Sequence, residues 1–321
     1  MNTTPHRALL DWKTLVGERA ELGDGYPGRD LWPVTAEDGA AYVPKRLGPW
    51  RNLPLADEAR ILRHLARQGI PVAEFEFTDH ATLYAGEAAE SYVLLPCLRH
   101  DPFTVADLVS LAGTVGGAVA ELHLALASYP SGANSYSEDL GAALASSLTL
   151  PPDIAEEFAR RRDSMIAAVR YLPTQLVHGD LTPENVLLKW PGVVSGFIDF
   201  DHLPLGPRTW DIAKYLSRRL RMGWRQDTTA ASVGRLDHLA GFLQGYHATS
   251  PLDEAESAAL PVLILAANLV EVSYFAAISA GRLLRRKLAD HDAVLADTME
   301  ATRWHLAHHG EVVAAVGSGV R

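Results

Sequence analysis

The stretch Leu176-Val177-His178-Gly179-Asp180-Leu181-Thr182-Pro183-Glu184-Asn185-Val186-Leu187-Leu188 sets the reading of the whole chain. An apolar run enters it and another leaves it, which predicts a polar loop between two short buried strands. Inside the loop, Asp180 precedes Asn185 by five residues. That spacing suits a division of labour in phosphoryl transfer. Asp180 can accept the proton of an attacking hydroxyl, while Asn185, a neutral oxygen donor, can hold a magnesium ion beside it. Further on, Gly196-Phe197-Ile198-Asp199-Phe200-Asp201 is another apolar strand ending in carboxylate. A hard cation needs several oxygen ligands, and Asp199 supplies the anionic one.

In this order, H-G-D-L-x-P-x-N at 178–185 and I-D-F at 198–200 resemble the motifs of the aminoglycoside phosphotransferase and choline kinase family, a branch of the protein-kinase-like fold. Gly179 stands where the general kinase loop has arginine, and Asp201 where D-F-G has glycine. The resemblance implies an α+β, two-lobed protein-kinase-like fold. A small antiparallel-sheet N-lobe with one helix is expected at 1–96. A large, mainly helical C-lobe is expected at 97–321, with the catalytic loop at 176–201. ATP, with GTP as the alternative, and Mg2+ are the implied cofactors. Asp180 is then the catalytic residue, Asn185 and Asp199 the metal ligands, and His178 and Asp211 supports of the loop. Arg208 either joins that brace or touches substrate. G-P-R-x-x-D at 206–211 and the helical tail look most like the homoserine-kinase-type branch.

At 321 residues the chain can form one large domain or two small ones with a real core. It is 48% hydrophobic and 21% charged, which is a globular composition. Lys and Arg number 29 against 39 Asp and Glu, a formal net charge of -10. This argues against a nucleic-acid binder, which carries a basic face, and fits a cationic small molecule. The single cysteine, Cys97, rules out an intramolecular disulfide and a Cys-rich zinc site. Residues 1–7 lead into no apolar signal core, so a cytoplasmic protein is expected. Residues 258–281 are almost continuously apolar and precede Arg282, Arg285, Arg286 and Lys287, in the manner of a membrane helix. Pro261, Asn268, Glu271 and Ser273 interrupt the run, and a carboxylate at mid-bilayer costs a few kcal/mol. A helix buried in a helical lobe gives the same run without that cost, and no membrane partner is expected.

Gly23-Asp24-Gly25-Tyr26-Pro27-Gly28 spells G-x-G-x-x-G. The sequence after it reads strand, turn, strand, not the helix that a dinucleotide site requires. In the kinase arrangement the glycine loop lies between two antiparallel strands, with a lysine on the next. Gly23, Gly25 and Gly28 then cover the nucleotide phosphates and Lys45 reaches them. Pro44 is awkward there, because it removes a ladder donor. A helix is expected over 55–69, stopped by Gly69-Ile70-Pro71, with Glu58 on its first turn as the partner of Lys45. Strands are expected at 73–78 and 81–84. Residues 91–98 should be the last strand and the hinge, where the backbone near Leu95, Cys97 and Leu98 meets the adenine edge.

One long helix is expected at 105–128, its small residues allowing close packing and His123 sitting in the core. A polar loop at 131–137 and helices at 154–171, 233–248, 254–281 and 293–309 follow. Only eleven residues separate Asp199 from Asp211, and no A-P-E motif occurs, so a regulated protein-kinase segment is missing. The expected activity is transfer of the γ-phosphoryl of ATP to a hydroxyl of a small metabolite or antibiotic. The alternatives are a kinase acting on Ser or Thr of a peptide, and a silent nucleotide-binding regulator. Substrate candidates are Asp201, His202, Asn268, Glu271 and Tyr274, with Glu271 favoured because a carboxylate in an apolar helix needs a partner. His305, His308 and His309 have helical spacing but no carboxylate or cysteine to complete a metal set, and read as a solvated cluster.

Overall fold

The computed structural model describes residues 5–25, 30–48, 51–87, 90–130, 140–221, 230–282 and 291–321. Gly28, the expected loop at 131–137 and the cationic residues Arg285, Arg286 and Lys287 lie outside them. The N-lobe is a four-stranded antiparallel sheet in the order β1 (Glu21–Leu22), β2 (Val34–Thr35), β3 (Ala41–Arg46) and β4 (Tyr92–Pro96). Alternation divides β4 between two cores. Tyr92 and Leu94 pack with Trp12 and Val16 from α1 (Pro5–Ala8), the 3-10 turn Leu9–Trp12 and α2 (Lys13–Val16). Val93 faces the other way, toward Ile61, Leu62 and Leu65 of α3 (Leu55–Arg67). Helix α3 buries one stripe (Glu58, Ile61, Leu62, Leu65), the spacing of a single helix face. It ends where Gly69, at φ +82, lets Ile70 N–H return to Leu65 O at 3.0 Å.

Pro44 lies inside the sheet after all. Its carbonyl accepts from Trp32 N–H at 3.3 Å, so the proline omits only the bond that would return to Trp32. On its other side Pro44 faces Leu94, while the bonds at the ends of that ladder, Cys97 N–H to Ala41 O and Leu47 N–H to Ser91 O, both use odd-numbered residues of the β4 side. Residues 73–78 and 81–84 do not form the expected strands. Isolated bridges join Glu76 to Leu94 and Ala85 to Tyr92. Between them Thr78 turns the chain, its Oγ1 taking the N–H groups of His80 and Thr82, and Ala81 sits at φ +59.

The C-lobe is helical. The long helix expected at 105–128 is two, α4 (Val105–Ser110) and α5 (Ala112–Ala127), broken at Leu111, whose side chain packs on Gly192. A capping box between Thr104 and Asp107 starts α4. Helices α6 (Leu140–Ala145) and α7 (Pro152–Val169) lead to β5 (Gln175–Leu176). Two hairpin-like pairs then frame the site: β6 (Val186–Lys189) with β7 (Val193–Phe197), and β5 with β8 (Leu205–Gly206). Helices α8 (Arg208–Arg221), α9 (Ala230–Thr249), α10 (Glu254–Ser279), α11 (His291–Ala307) and α12 (His309–Gly319) complete the lobe. Helices α5 and α9 touch backbone to backbone, since a Cβ at Gly116 would strike Phe242 O and one at Gly245 would strike Gly113 O. Helix α10 is long and apolar enough to cross a membrane. Here α7, α8, α11 and α12 pack around it, and residues 263–269 are buried without a break. That enclosure accounts for an apolar run with no amphipathic period.

His305 is fully buried, which corrects the solvated reading of that cluster; His238 is also buried. Burial pushes both imidazoles down to about 3, against 6.5 in an open chain. Below pH 6.5 the unfolded chain takes up protons that the folded one refuses, so stability falls as pH drops from 6.5 toward 3. The slope is up to about 1.4 kcal/mol per pH unit for each ring. We expect His305→Leu to flatten the decline of Tm between pH 6.5 and 5. A slope identical to wild type would show that this ring is not held neutral.

Candidate active site

The loop between β5 and β6 is fixed from three directions. Val177 N–H donates to Pro204 O at 3.0 Å and Leu203 N–H to His178 O at 3.2 Å. The His178 ring is buried, with Nε2 2.9 Å from Ile198 O and Nδ1 3.3 Å from Asp180 N. A carbonyl only accepts and an amide N–H only donates, so this imidazole is the Nε2–H tautomer. Gly179 has φ +82, and a Cβ there would collide with the Pro204 ring. The arginine of the general kinase loop has no room at this position.

Asp211 holds the same turn from below. Its carboxylate is fully buried and accepts from His178 N–H at 2.7 Å and Gly179 N–H at 2.9 Å. His123 Nε2 lies 3.2 Å from the same carboxylate, and His123 Nδ1 2.8 Å from Tyr246 Oη. Burial pushes the Asp211 carboxyl up. The hydrogen bond from His123, with the charge of Lys214, outweighs that and holds it below the usual range. Lys214, one turn along α8, donates to Gly179 O and lies 5.4 Å from the Trp210 ring centre. Arg208 joins the brace only at a remove. It pairs with Glu256 on α10 through two 2.7 Å bonds, donates to Ser250 and Pro251, and lies over the Tyr246 ring.

Asn185 Nδ2 donates to Asp180 O at 2.9 Å, which commits the amine side of the amide and turns Oδ1 into the free acceptor. Its own carbonyl accepts from Ile198 N–H at 3.1 Å, so Ile198 ties the Asn185 turn and His178 to the residue before Asp199. Asp199 sits at φ +69, a left-handed conformation costing about 1 kcal/mol for a non-glycine residue. Desolvation pushes its carboxyl up, but the Lys45 charge and hydrogen bond more than reverse this, keeping it ionised. Lys45 crosses from β3 and places Nζ 2.5 Å from Asp199 and 2.8 Å from Asp201. Asn185 and Asp199 therefore present hard oxygen donors, one neutral and one anionic, which fits a magnesium ion. Among the described residues no group of three or more His, Cys, Asp or Glu is placed to hold a metal.

The hinge needs a correction of one residue. Cys97 N–H is spent on Ala41 O at 2.8 Å, and strand alternation turns Leu95 toward β3 as well. The backbone groups of opposite parity are the Pro96 carbonyl and the Leu98 N–H. Gly23 and Gly25 lie between β1 and β2, with Gly23 N–H bonded to Pro33 O at 2.9 Å.

Glu58 does not pair with Lys45. It is buried on the first turn of α3 and pairs with Arg51, a residue that no sequence motif marks. Arg51 in turn donates to Asp201 at 2.8 Å. Asp201, a substrate candidate, thus has both oxygens committed to cations of the N-lobe. His202 Nδ1 faces Asn52 Nδ2 at 3.3 Å. Glu271 has its partner inside the chain: Arg218 at 3.0 Å, together with Arg221. Arg218 also reaches Glu184 of the catalytic loop at 3.3 Å. Asn268 is buried with no hydrogen bond to its amide among the described residues, and Tyr274 is half-buried against Phe275. Among the described residues, Asp201, His202, Asn268 and Glu271 make no hydrogen bond to Asp180.

Asp211→Asn puts an amine against one of two backbone donors, leaving a buried N–H unpaired at a cost of about 1–3 kcal/mol. We expect amide exchange at His178 and Gly179 to accelerate in this variant while α10 stays protected. Unchanged protection of the loop peptide in mass-spectrometric exchange would remove Asp211 as its brace.

Residues 22–252 match the family model described as the phosphotransferase enzyme family. The chain is 28% identical over 206 residues to the homoserine kinase of Neisseria meningitidis serogroup B, covering 62% of this chain and 64% of that one. The aligned part thus spans just under two-thirds of that relative. Among solved structures, a microcompartment-associated aminopropanol kinase superposes with a TM-score of 0.69 at 15% identity, covering 98% of this chain and 97% of that chain. Amicoumacin kinase in complex with AMP-PNP, Ca2+ and its ligand superposes with a TM-score of 0.66 at 18% identity, covering 88% of each chain. These likenesses carry the two-lobed kinase-like fold, and with the family match over most of its length the chain belongs to the phosphotransferase enzyme family.

Proposed function

We propose that this chain transfers the γ-phosphoryl group of Mg-ATP to a hydroxyl of a small molecule bearing an amino group. The observation that carries the reading is the pairing at the cleft: an Asn185 amide turned to offer Oδ1, beside an Asp199 carboxylate kept ionised by Lys45. In this reading Asp180 accepts the hydroxyl proton and orients the oxygen, on a loop made rigid by Asp211 and the His178 tautomer. Asn185 and Asp199 hold the magnesium ion, and Lys45 meets the phosphates. Bound Mg-ATP supplies the transferable phosphoryl group, and the metal neutralises its charge. Most of the acceleration then comes from positioning and charge placement. A Pro96 carbonyl beside a Leu98 N–H matches the amine and ring nitrogen of adenine, and meets guanine with two acceptors facing each other, so ATP is the proposed donor over GTP.

For the acceptor, the similar kinases support one class: homoserine and aminopropanol each carry a hydroxyl and an amine. The formal net charge of -10 agrees with a cationic acceptor. The proposed location is the cytoplasm, where Mg-ATP is available.

The test is phosphoryl transfer followed by mass spectrometry, with homoserine, aminopropanol, choline, an aminoglycoside and a Ser/Thr peptide as acceptors. One amino alcohol should gain a phosphoryl group, and Asp180→Asn should slow this about 10²–10⁴-fold, the usual worth of a positioned base. Turnover of Asp180→Asn within threefold of wild type would overturn the assignment of the base. Phosphorylation of the peptide alone would replace the small-molecule reading.

A further inference from the structure

The amine of Lys45 has two carboxylate partners, and neither is on helix α3. Asp201 uses one oxygen for Lys45 at 2.8 Å and the other for Arg51 Nη1 at 2.8 Å. Arg51 then pairs with Glu58. The four residues form one chain of alternating charge, Lys45–Asp201–Arg51–Glu58, running from the cleft into the N-lobe core. Side-chain exposure falls along it from 18% at Lys45 through 14% and 10% to 4% at Glu58, so solvent screens it progressively less.

Resting on the reading of the site as a phosphotransferase, we propose that Asp201 and Arg51 are the positioning residues of Lys45, and that Glu58 acts on the lysine only through them. Two observations carry this beyond the ion pairs. Arg51 belongs to a clamp, because the adjacent Asn52 donates its N–H to Asp201 O at 3.3 Å while its side chain meets His202. The segment before α3 therefore grips 201–202 by backbone and side chain at once. Arg51 is itself held in place, its guanidinium 6.0 Å from the Phe75 ring centre.

The arrangement also divides labour between the two carboxylates. Asp199 is the anionic oxygen ligand of the site, so its hold on Lys45 competes with its hold on a cation. Asp201 has no such second duty. With Asp201 present, Lys45 keeps an anionic anchor whether or not Asp199 is engaged elsewhere. An isolated Lys45–Asp199 pair has no such reserve. Arg51 retains Glu58 without Asp201, and Asp201 retains Arg51 without Glu58 or Lys45, so neutral substitutions at Asp201, Lys45 and Glu58 should fold. Glu58 has Arg51 as its partner, so substitutions at Arg51 are made together with Glu58→Gln to leave no buried carboxylate unpaired.

The experiment is a double-mutant cycle with companion variants on the full chain, reading Mg-AMP-PNP affinity by calorimetry and, without nucleotide, the acylation rate of Lys45 by mass spectrometry. Asp201→Asn should weaken nucleotide binding about tenfold and speed Lys45 acylation several-fold. Lys45→Met combined with Asp201→Asn should bind no worse than Lys45→Met alone. Arg51→Met made with Glu58→Gln should follow Asp201→Asn, and Arg51→Lys should restore part of the loss. Glu58→Gln should change the acylation rate less than twofold. The proposal is overturned if Glu58→Gln matches Lys45→Met while Asp201→Asn behaves as wild type, since the lysine then works from a direct helix partner. Wild type that binds no Mg-AMP-PNP removes both the phosphotransferase reading and this inference. Wild type that binds it with Asp201→Asn unchanged removes the inference alone.

Discussion

Everything at the cleft depends on one buried carboxylate. Asp211 has no contact with solvent, yet it accepts two backbone N–H groups from consecutive residues of the catalytic loop. A carboxylate taken out of water without partners costs several kcal/mol, so its bonds must form together with the fold around it. The loop is thereby coupled to the packing of α5, α8 and α9, which supply His123, Asp211 and Tyr246. The glycines that let α5 and α9 approach serve this end, because they set the distance over which His123 and Tyr246 meet.

A second layer of order comes from charges that cross between the lobes. Lys45 and Arg51 from the N-lobe reach Asp199 and Asp201 after β7, and Arg218 ties Glu184 of the loop to Glu271 of α10. Exposed pairs of this kind contribute little, but apart from the exposed Asp199 these residues are half-buried or buried and share members, so removing one leaves a charge poorly compensated. The same compensation explains how α10 tolerates Glu271 in a run otherwise made for the core.

Much of this was legible in the chain as written. The loop at 176–188 and the strand into Asp199 could be read because short-range spacing and apolar flanks are local properties. So could the turn holding Gly23 and Gly25 and the placement of Lys45 on β3. Asp211 was readable through the resemblance that G-P-R-x-x-D carries. The misreadings share a cause. Glu58 was matched to Lys45 by family position, but an intervening arginine with no motif of its own took the carboxylate. Leu95 and Cys97 were off by strand parity, and only the register with β3 fixes which carbonyl faces outward. Residues 73–84 have strand-like composition, yet Thr78 closes a local turn.

The sequence by itself determined the order of chemical groups along the chain: Lys45, Asp180, Asn185, Asp199 and the segments able to form strands or helices. These follow from local periodicity and from residue types that few other sites combine. Tertiary structure decided which charge meets which. It gave Asp201 to Lys45 and Arg51, Glu271 to Arg218 and Arg221, and His305 to the core. Ion pairs between residues up to 156 positions apart depend on how the lobes and helices pack, and no spacing along the chain encodes that distance.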